Sequence, residues 1–403
     1  MLIKILNSFV VDILIFTIGF TSICLTCLRL LKELIITRKN IWKIKDRNDL
    51  QSKLYSNDPN YGKHKTLKIE ENFFHYVEAG NVEGPLILFL HGFPEVNIVF
   101  NYNYRLKDTG YYLVAVDMRG YGGSYKPIER SAYDSKFLLD DIHSFIQKLS
   151  KNGRAACVVG HDWGAALAWQ AAAQSWEWDQ YSDKSGYIDR LIILNGPNTL
   201  VWQNNAKERF KQVFHYNNLK TLINQPRQTL RNSWAILTPC IRQFCMSNYI
   251  FRFKIPYLPE RLFVLKDVSA YDEFFKSMNN VSAEDIEMFK AAACMENYAS
   301  IKGGMNYYRS NAMLGFYNEQ EKRGIKQVGF IGIPTLVIWG EKDEFLESDL
   351  CLDNLSKHVS NLETIRIPDA GHFIHEQIPE QINDLIRRFI NSNGNLHDLN
   401  TTK

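Results

Sequence analysis

The stretch that decides the fold is Gly160-His161-Asp162-Trp163-Gly164. It follows the apolar run Ala156–Val159 and precedes an alanine-rich segment with helical spacing. A nucleophile flanked at two positions by glycine is typical of a sharp turn from a strand into a helix, which projects the central side chain into a cleft. An aspartate at such a turn can also simply cap the helix. The motif alone therefore leaves both roles open for Asp162.

Short apolar runs on either side of this turn predict a sheet. They do not alternate with polar residues, which is typical of parallel strands buried on both faces. Helical spacing of apolar residues between the runs, and again near Ile382–Ile390, predicts helices that cover the sheet. The fold class is therefore α/β, with a doubly wound, mostly parallel sheet. The predicted strands are Phe73–Val77, Leu86–Leu90, Tyr112–Val116, Ala156–Val159, Leu191–Leu194, Thr335–Ile338 and Thr364–Ile367.

The alternation of strands and helices divides the chain into five parts. Between about Pro197 and Gly324 the sequence reads as helices and loops rich in Trp, Tyr, Phe and Asn. We expect this segment to be a helical cap over the carboxyl edge of the sheet, where open α/β sheets bind ligands. A polar linker is expected near residues 50–68. The predicted parts are an anchor with a basic flank (1–50), a first core part (51–196), the cap (197–325), a second core part (326–392) and a polar tail (393–403).

The composition of the 403-residue chain excludes several classes of protein. With 45% hydrophobic and 23% charged residues and a formal net charge of +3, the chain is globular and carries no nucleic-acid footprint. Seven irregularly spaced cysteines argue against a disulfide scaffold. We expect no cofactor and no metal, because Tyr125 breaks the phosphate-loop pattern and His372, His375 and Glu376 lack the spacing of a zinc motif. The oligomeric state stays open.

The amino-terminal segment predicts a membrane span. Residues 9–28 are almost continuously apolar with Asp12 as the single charge, and twenty such residues would rise about 30 Å as a helix. A signal peptide is the competing interpretation, but a single Lys4 precedes the run and no cleavage pattern follows. A buried core helix is the other alternative, although uninterrupted runs of this length are rare in soluble folds.

The charges that flank this span predict its orientation. Seven cations follow it within the first 47 residues, which favours a cytosolic catalytic domain by the positive-inside rule. Glycosylation sequons at Asn280, Asn354 and Asn400 point to the opposite side. We therefore expect a single-pass membrane protein, with the endoplasmic reticulum as its site and the catalytic domain in the cytosol.

Residues that can carry chemistry follow the strands at one edge of the predicted sheet. Asp343 lies in Trp339–Phe345 and His372 lies in Asp369–Phe373. Together with Asp162 they give the chain order nucleophile, acid, base that this kind of sheet uses. A third segment, His91–Glu95, can supply the backbone N–H of Phe93 to an oxyanion hole, paired with that of Trp163. We expect structural roles around the site for His91, Gly92, Pro94, Gly160 and Gly164.

The sequence resembles the membrane-anchored epoxide hydrolases of the α/β-hydrolase family over roughly residues 68–392. The similarity is carried by HGFPE, DMRGYGGS, GHDWGA, WGEKD and GHF. The resemblance implies that two cap tyrosines bind the epoxide oxygen, which match Tyr308 in NYYR and Tyr249 in NYIFRFKIP, with Tyr307 as a rival for Tyr308. The chain departs from the family pattern in Val96–Phe100 and at Gly123, and both departures concern the shape of the pocket.

These residues predict a two-step hydrolysis. Asp162 would open a hydrophobic, lipid-derived epoxide while a tyrosine protonates the leaving oxygen. Water activated by His372 and Asp343 would then hydrolyse the ester and release a vicinal diol. Two alternatives stay open, namely a haloalkane dehalogenase with the same kind of nucleophile and a non-catalytic membrane-anchored binding module.

Overall fold

The computed structural model describes residues 17, 20–28, 30–32, 34–36, 40–57, 62–181, 184–216, 224–275, 281–310 and 312–392. Within these ranges the chain forms one sheet of eight strands, and helices lie between many of these strands along the sequence. The strands are β1 (Lys63–Ile69), β2 (Asn72–Gly80), β3 (Leu86–Leu90), β4 (Tyr112–Val116), β5 (Ala155–His161), β6 (Leu191–Leu194), β7 (Thr335–Gly340) and β8 (Leu362–Ile367).

The sheet is parallel except at one edge. Its strand order is β1-β2-β4-β3-β5-β6-β7-β8, and all pairs from β4 to β8 are parallel. The pairs β1–β2 and β2–β4 are antiparallel. Strands β3, β4, β6 and β7 are buried along their whole length, as expected for strands covered on both faces. The predicted α/β, mostly parallel sheet is confirmed.

The helices flank the sheet and fill the chain between β6 and β7. In that interval the described residues form helices and no strand, and we refer to these residues as the helical insertion. The helices are α1 (Asn48–Leu54), α2 (Ser135–Leu149), α3 (Asp162–Tyr181), α4 (Thr199–Tyr216), α5 (Pro226–Met246), α6 (Asn248–Phe253), α7 (Leu258–Val268), α8 (Ala270–Phe275), α9 (Ala283–Ala293), α10 (Ala299–Arg309), α11 (Ala312–Lys322), α12 (Ser348–Leu352), α13 (Ile374–Gln377) and α14 (Pro379–Asn391). Shorter 3-10 turns span Asn97–Thr109, Arg130–Tyr133, Met295–Tyr298 and Leu355–Lys357.

The predicted polar linker near residues 50–68 is wrong. The structure places α1 and most of β1 there. β1 is an edge strand, and most of its side chains are exposed or half-buried, so it carries lysines and a threonine in place of an apolar run. The apolar periodicity that indicates buried strands is therefore missing from its sequence. The seven predicted strands all exist, and four of them are longer than the apolar runs that predicted them.

Several of the predictions for the chain ends fall on residues that are not described. Residues 9–16, 18 and 19 of the predicted span, the sequons at Asn280 and Asn400, and the tail 393–403 lie outside the described residues. Residues 17, 20–28, 30–32 and 34–36 are helical, and we call them the amino-terminal helix. No helix within the described ranges is both long and apolar enough to cross a membrane. All seven cysteines lie at described positions and are free thiols.

Candidate active site

Asp162 stands at the turn between β5 and α3. Its φ angle of 48° lies in the left-handed region, which residues other than glycine rarely adopt. The two glycines of the motif make the turn possible because they let neighbouring backbone segments approach each other closely. A Cβ on Gly160 would lie 2.7 Å from the Ala165 Cα, and one on Gly164 would collide with the Leu90 carbonyl oxygen. The sequence thus forces an aspartate side chain out of the turn at the carboxyl edge of the sheet.

His372 connects two carboxylates. Its Nδ1 lies 2.8 Å from Asp343 Oδ2, and its Nε2 lies 3.7 Å from Asp162 Oδ2. Asp162 follows β5, Asp343 follows β7 and His372 follows β8, and these strands are parallel. The structure therefore brings the three side chains together at the carboxyl edge of the sheet.

The Asp343 carboxylate is held by four hydrogen bonds. Oδ1 accepts the backbone N–H groups of Phe345 at 2.8 Å and Leu346 at 2.9 Å. Oδ2 accepts the His372 imidazole and, at 2.7 Å, the side-chain amide of Asn195. Four donors satisfy both oxygens of this buried group and fix its orientation toward His372. Asn195 was not predicted as a site residue, although it follows β6 directly as the other site residues follow their strands.

The charge state of His372 depends on its two carboxylate neighbours. Burial of the imidazole opposes its charged form, but Asp343 and Asp162 outweigh burial and raise the pKa of His372 to about 10. The free site therefore holds an imidazolium between two carboxylates at neutral pH. Loss of the charge on Asp162 would remove one of the two groups that raise this pKa.

The backbone around Asp162 provides hydrogen-bond donors. The Phe93 N–H donates to Asp162 Oδ1 at 2.9 Å. Trp163 is the second residue of α3, and N–H groups in the first turn of a helix have no intrahelical partner. These are the two N–H groups predicted for the oxyanion hole. Phe93 precedes Asp162 in the sequence, and Trp163 follows it directly.

Two tyrosines of the helical insertion line the same small cavity as Asp162 and His372. They are Tyr249 of α6 and Tyr308 of α10, and their rings lie 5.8 Å apart. Burial, followed by nearby groups that include the Asp162 carboxylate, raises the pKa of each phenol above its ordinary value. Both hydroxyl groups therefore stay protonated and can donate. Tyr307 instead donates its hydroxyl to the Arg119 carbonyl at 2.8 Å and does not line this cavity.

The segment His91–Glu95 is fixed by its own hydrogen bonds. His91 Nδ1 lies 2.8 Å from the Gly92 carbonyl, and its Nε2 accepts the Met118 N–H at 3.0 Å. The Pro94 carbonyl accepts the hydroxyl of Tyr271 at 2.9 Å. A Cβ on Gly92 would collide with the Cβ of Asp162, so glycine is required for the close approach. These contacts hold the Phe93 N–H against the Asp162 carboxylate.

A buried network lies beneath His372 that the sequence did not predict. Glu95 Oε2 accepts the Gly92 N–H at 2.8 Å and lies 2.8 Å from His161 Nδ1, and His161 Nε2 lies 3.0 Å from the His372 carbonyl oxygen. His375 Nε2 lies 3.3 Å from Glu95 Oε1. Burial of Glu95 opposes its charge, but the two histidines outweigh burial and lower its pKa well below the usual range.

These three side chains also form a group with the ligand types of a metal site. One ligand atom from each of Glu95, His161 and His375 lies within 4.8 Å of the others. Both ring nitrogens of His161 are already engaged, however, and so is one Glu95 oxygen. Too few free ligand atoms remain for zinc, and the group instead supports the loops that carry Phe93 and His372.

Sequence comparison places the chain among known enzymes. The profile of the alpha/beta hydrolase fold matches residues 85–379. Epoxide hydrolase 3 of Mus musculus is 30% identical over 349 residues, covering 83% of this chain and 80% of the relative. Epoxide hydrolase 4 of Homo sapiens is 28% identical over 345 residues, with 83% and 80% covered.

The chain belongs to the epoxide hydrolase family of α/β hydrolases. It is therefore a hydrolase. Solved structures agree on the fold. An epoxide hydrolase from Bacillus megaterium in complex with an inhibitor gives a TM-score of 0.60 at 23% identity, covering 81% of this chain and all of that one. One from Vigna radiata gives the same TM-score and identity, with 82% and 99% covered.

Within this epoxide hydrolase family member, the structure brings the main predicted residues to one cavity. The cavity is lined by Asp162, His372, Phe93, Tyr249 and Tyr308. Asp343 is not part of this lining, and it contacts His372 Nδ1. The sequence did not predict three aromatic residues of the same lining, namely Phe274, Phe345 and Phe373. Phe345 and Phe373 sit in segments already singled out for Asp343 and His372, whereas Phe274 carries no local signal.

Proposed function

We propose that the protein converts hydrophobic epoxides to vicinal diols through a covalent ester on Asp162. The observation that carries the proposal is one cavity lined by the Asp162 carboxylate, the His372 imidazole and the phenols of Tyr249 and Tyr308. A nucleophile, a base and two proton donors are the groups that this reaction requires. The relatives named epoxide hydrolase support the reaction type.

In the first step Asp162 opens the epoxide. Its Oδ1 is held by the Phe93 N–H, so Oδ2 is the oxygen that attacks an epoxide carbon. The carbon–oxygen bond of the ring breaks, and its electron pair goes to the epoxide oxygen, which takes a proton from Tyr308 or Tyr249. The raised pKa values of both phenols keep that proton available until the oxygen becomes basic.

In the second step water hydrolyses the ester. Esterification removes the negative charge of Asp162, so the pKa of His372 falls. The proton that the imidazolium releases restores the phenol that protonated the epoxide oxygen, and the neutral imidazole becomes a base. His372 takes a proton from water, and the resulting hydroxide attacks the Asp162 carbonyl carbon while Asp343 stabilises the imidazolium. The N–H groups of Phe93 and Trp163 stabilise the oxyanion, an effect worth about 3 kcal/mol per donor in comparable sites. Collapse breaks the bond between the Asp162 carbonyl carbon and Oδ2, and the proton on His372 completes the diol. The new Asp162 carboxyl group then gives its proton to His372, which restores the starting site.

A haloalkane dehalogenase is the second candidate, because it would share an aspartate nucleophile followed by tryptophan. It would have no use for two buried phenols beside the nucleophile, since a halide leaves without protonation. Tyr249 and Tyr308 therefore favour the epoxide reaction.

The same proposal has three further parts. The substrate is hydrophobic and lipid-derived, residues 9–28 form a membrane anchor, and the protein lies at the endoplasmic reticulum with its catalytic domain in the cytosol. The apolar amino-terminal segment supports all three.

The test is turnover of a panel of aryl and long-chain epoxides by the full-length protein in detergent, with Asp162→Asn as the control. We expect diol formation that falls by roughly a thousandfold or more in the variant. Haloalkanes are assayed in parallel for chloride release. Chloride release without diol formation would support the dehalogenase, and no turnover of either class would leave only a binding function.

A further inference from the structure

A second, larger cavity lies beside the catalytic one. Its volume is about 480 Å³, which is in the range of small-molecule binding sites. Its lining is mainly apolar and comes from α6, α7 and α8 together with the amino-terminal helix. Arg252, Lys266 and Glu273 are its charged lining residues. The sequence did not predict this cavity, because its walls come from segments more than 200 residues apart.

The two cavities share part of their walls. Tyr249, Phe274 and Phe345 line both of them. Tyr249 is one of the two phenols proposed to protonate the epoxide oxygen, so the shared wall reaches the reacting atoms. The two cavities therefore adjoin each other at these three side chains.

The amino-terminal helix contributes one wall through a single face. Ile23, Thr26 and Leu30 line the cavity, and their spacing of three and four residues places them on the same side of a helix. Ile23 is only 2% exposed. The neighbouring Leu25 and Leu28 are 55% and 61% exposed and face away from the cavity.

The segment after this helix is tied to the helical insertion. The Ile41 carbonyl accepts the Lys266 N–H at 2.8 Å. Arg47 donates to both oxygens of Asp267, at 2.7 and 2.8 Å, and to Glu287 at 3.1 Å. Burial of the Arg47 guanidinium opposes its charge, but these two carboxylates outweigh burial and raise its pKa above the ordinary value. These contacts fix residues 41–47 against α7 and α9, beside the cavity.

The outer face of the amino-terminal helix is apolar as well. Its exposed side chains are mainly apolar, and exposed apolar surface is typical of contact with a membrane or a partner. The cavity therefore lies directly behind a surface suited to lipid. The exposed apolar residues of this helix are Phe20, Leu25, Leu28, Leu31, Leu34, Ile35 and Ile36.

We propose that the amino-terminal helix forms a wall of the substrate site, and that the cavity behind it binds the long apolar chain of the epoxide. The helix is then part of the enzyme's specificity as well as a contact with lipid. Substrates with an extended hydrocarbon chain fill both cavities, whereas compact epoxides occupy only the catalytic one. The inference rests on the proposed epoxide hydrolysis for its kinetic test.

The test places the same bulky residue on the two faces of the helix. Thr26→Trp fills the cavity, and Leu28→Trp is its matched control on the outer face. Ala270→Trp narrows the cavity from the opposite wall. For each full-length variant in detergent, kcat/KM is measured for a long-chain epoxide and for a compact aryl epoxide. We expect kcat/KM for the long-chain epoxide, divided by kcat/KM for the compact epoxide, to fall about tenfold in Thr26→Trp and Ala270→Trp. The reason is that displacing two methylene groups from the cavity costs about that factor in binding.

Equal ratios in Thr26→Trp, Leu28→Trp and the unmodified protein would overturn the inference, even if epoxides are hydrolysed. Binding of a fluorescent long-chain fatty-acid probe is measured on the same proteins as a readout that does not need turnover. Weaker binding in Thr26→Trp and Ala270→Trp, with Leu28→Trp unaffected, supports the cavity even if no epoxide is hydrolysed. Binding that is the same in all variants counts against it.

Discussion

At the scale of single residues, the adjacent Tyr307 and Tyr308 make different contacts. Tyr308 lines the cavity with Asp162, whereas the adjacent Tyr307 donates its hydroxyl to the Arg119 carbonyl. Neighbouring positions in one helix point in directions about 100° apart, so the two phenols cannot share a role. The sequence left this choice open because the motif contains both residues.

Phenylalanine substitutions test this assignment. Tyr308→Phe and Tyr249→Phe should each slow ring opening by roughly a hundredfold, since each removes a proton donor to the epoxide oxygen. Tyr307→Phe is the matched control, and it should keep the rate while lowering stability by about 1 kcal/mol for its lost hydrogen bond. The rate of ester formation is followed in single turnovers. A larger loss of rate in Tyr307→Phe than in Tyr308→Phe would contradict the assignment.

His372 also predicts how stability depends on pH. Its pKa in the folded protein is raised to about 10, above the value of about 6.5 in an unfolded chain. The stabilisation is fully present below pH 6.5 and is lost as pH rises through 10, with a slope of at most about 1.4 kcal/mol per pH unit. We expect the free energy of unfolding in urea to fall more steeply between pH 7 and 10 for the unmodified protein than for His372→Gln. Parallel pH profiles for the two proteins would show that His372 is not charged in the free site.

At the scale of elements, an ion pair joins the loop after β4 to α2. Arg119 donates to both Asp141 oxygens at 2.6 and 2.7 Å, and both side chains are largely buried. The Arg119 carbonyl also accepts the hydroxyl of Tyr307 in α10, the helix that carries Tyr308. Arg119 thus fixes the start of the glycine-rich loop Gly120–Ser124 against α2 and α10.

Arg119→Met should destabilise the fold by about 3–5 kcal/mol, because it leaves the buried Asp141 carboxylate without its cation. Adding Asp141→Asn should restore part of this loss, since the uncompensated charge is removed. Arg366→Met is the control, because the Arg366–Glu341 pair lies at the surface and is worth at most about 1 kcal/mol. Urea unfolding measures all four proteins. An equal cost for Arg119→Met and Arg366→Met would refute the buried pair.

The elements also show which parts of the fold the sequence could predict. Strands buried on both faces leave an apolar run, so β3 to β7 were predictable. The residues that follow such strands lie at one edge of the sheet, which made the positions of Asp162 and Asp343 predictable as well. The edge strand β1 has no such run. Phe274 and the Glu95–His161–His375 network join distant segments through packing alone, which leaves no local pattern to detect.

At the scale of the whole molecule, the orientation of the protein in the membrane is a prediction. If the cations that follow residues 9–28 face the cytosol, protease added to intact microsomes should remove the domain beyond Lys32. Protection of the domain, or glycans on Asn280 or Asn354, would indicate the opposite side. The Asn354 side-chain nitrogen already donates to Asn205 at 2.7 Å, which a glycan would disrupt.

The proposed epoxide hydrolysis depends on Asp162 acting as a nucleophile, and a single turnover in ¹⁸O-labelled water tests this most directly. If Asp162 attacks the epoxide, its own Oδ2 enters the diol and water repairs the ester. The first diol should then be unlabelled, and the label should appear in the peptide that contains Asp162. In His372→Gln the same peptide should retain the mass of one substrate, because the ester forms and is not hydrolysed. Labelled diol in the first turnover, with no adduct on the variant, would mean that water attacks the epoxide directly and would contradict covalent catalysis.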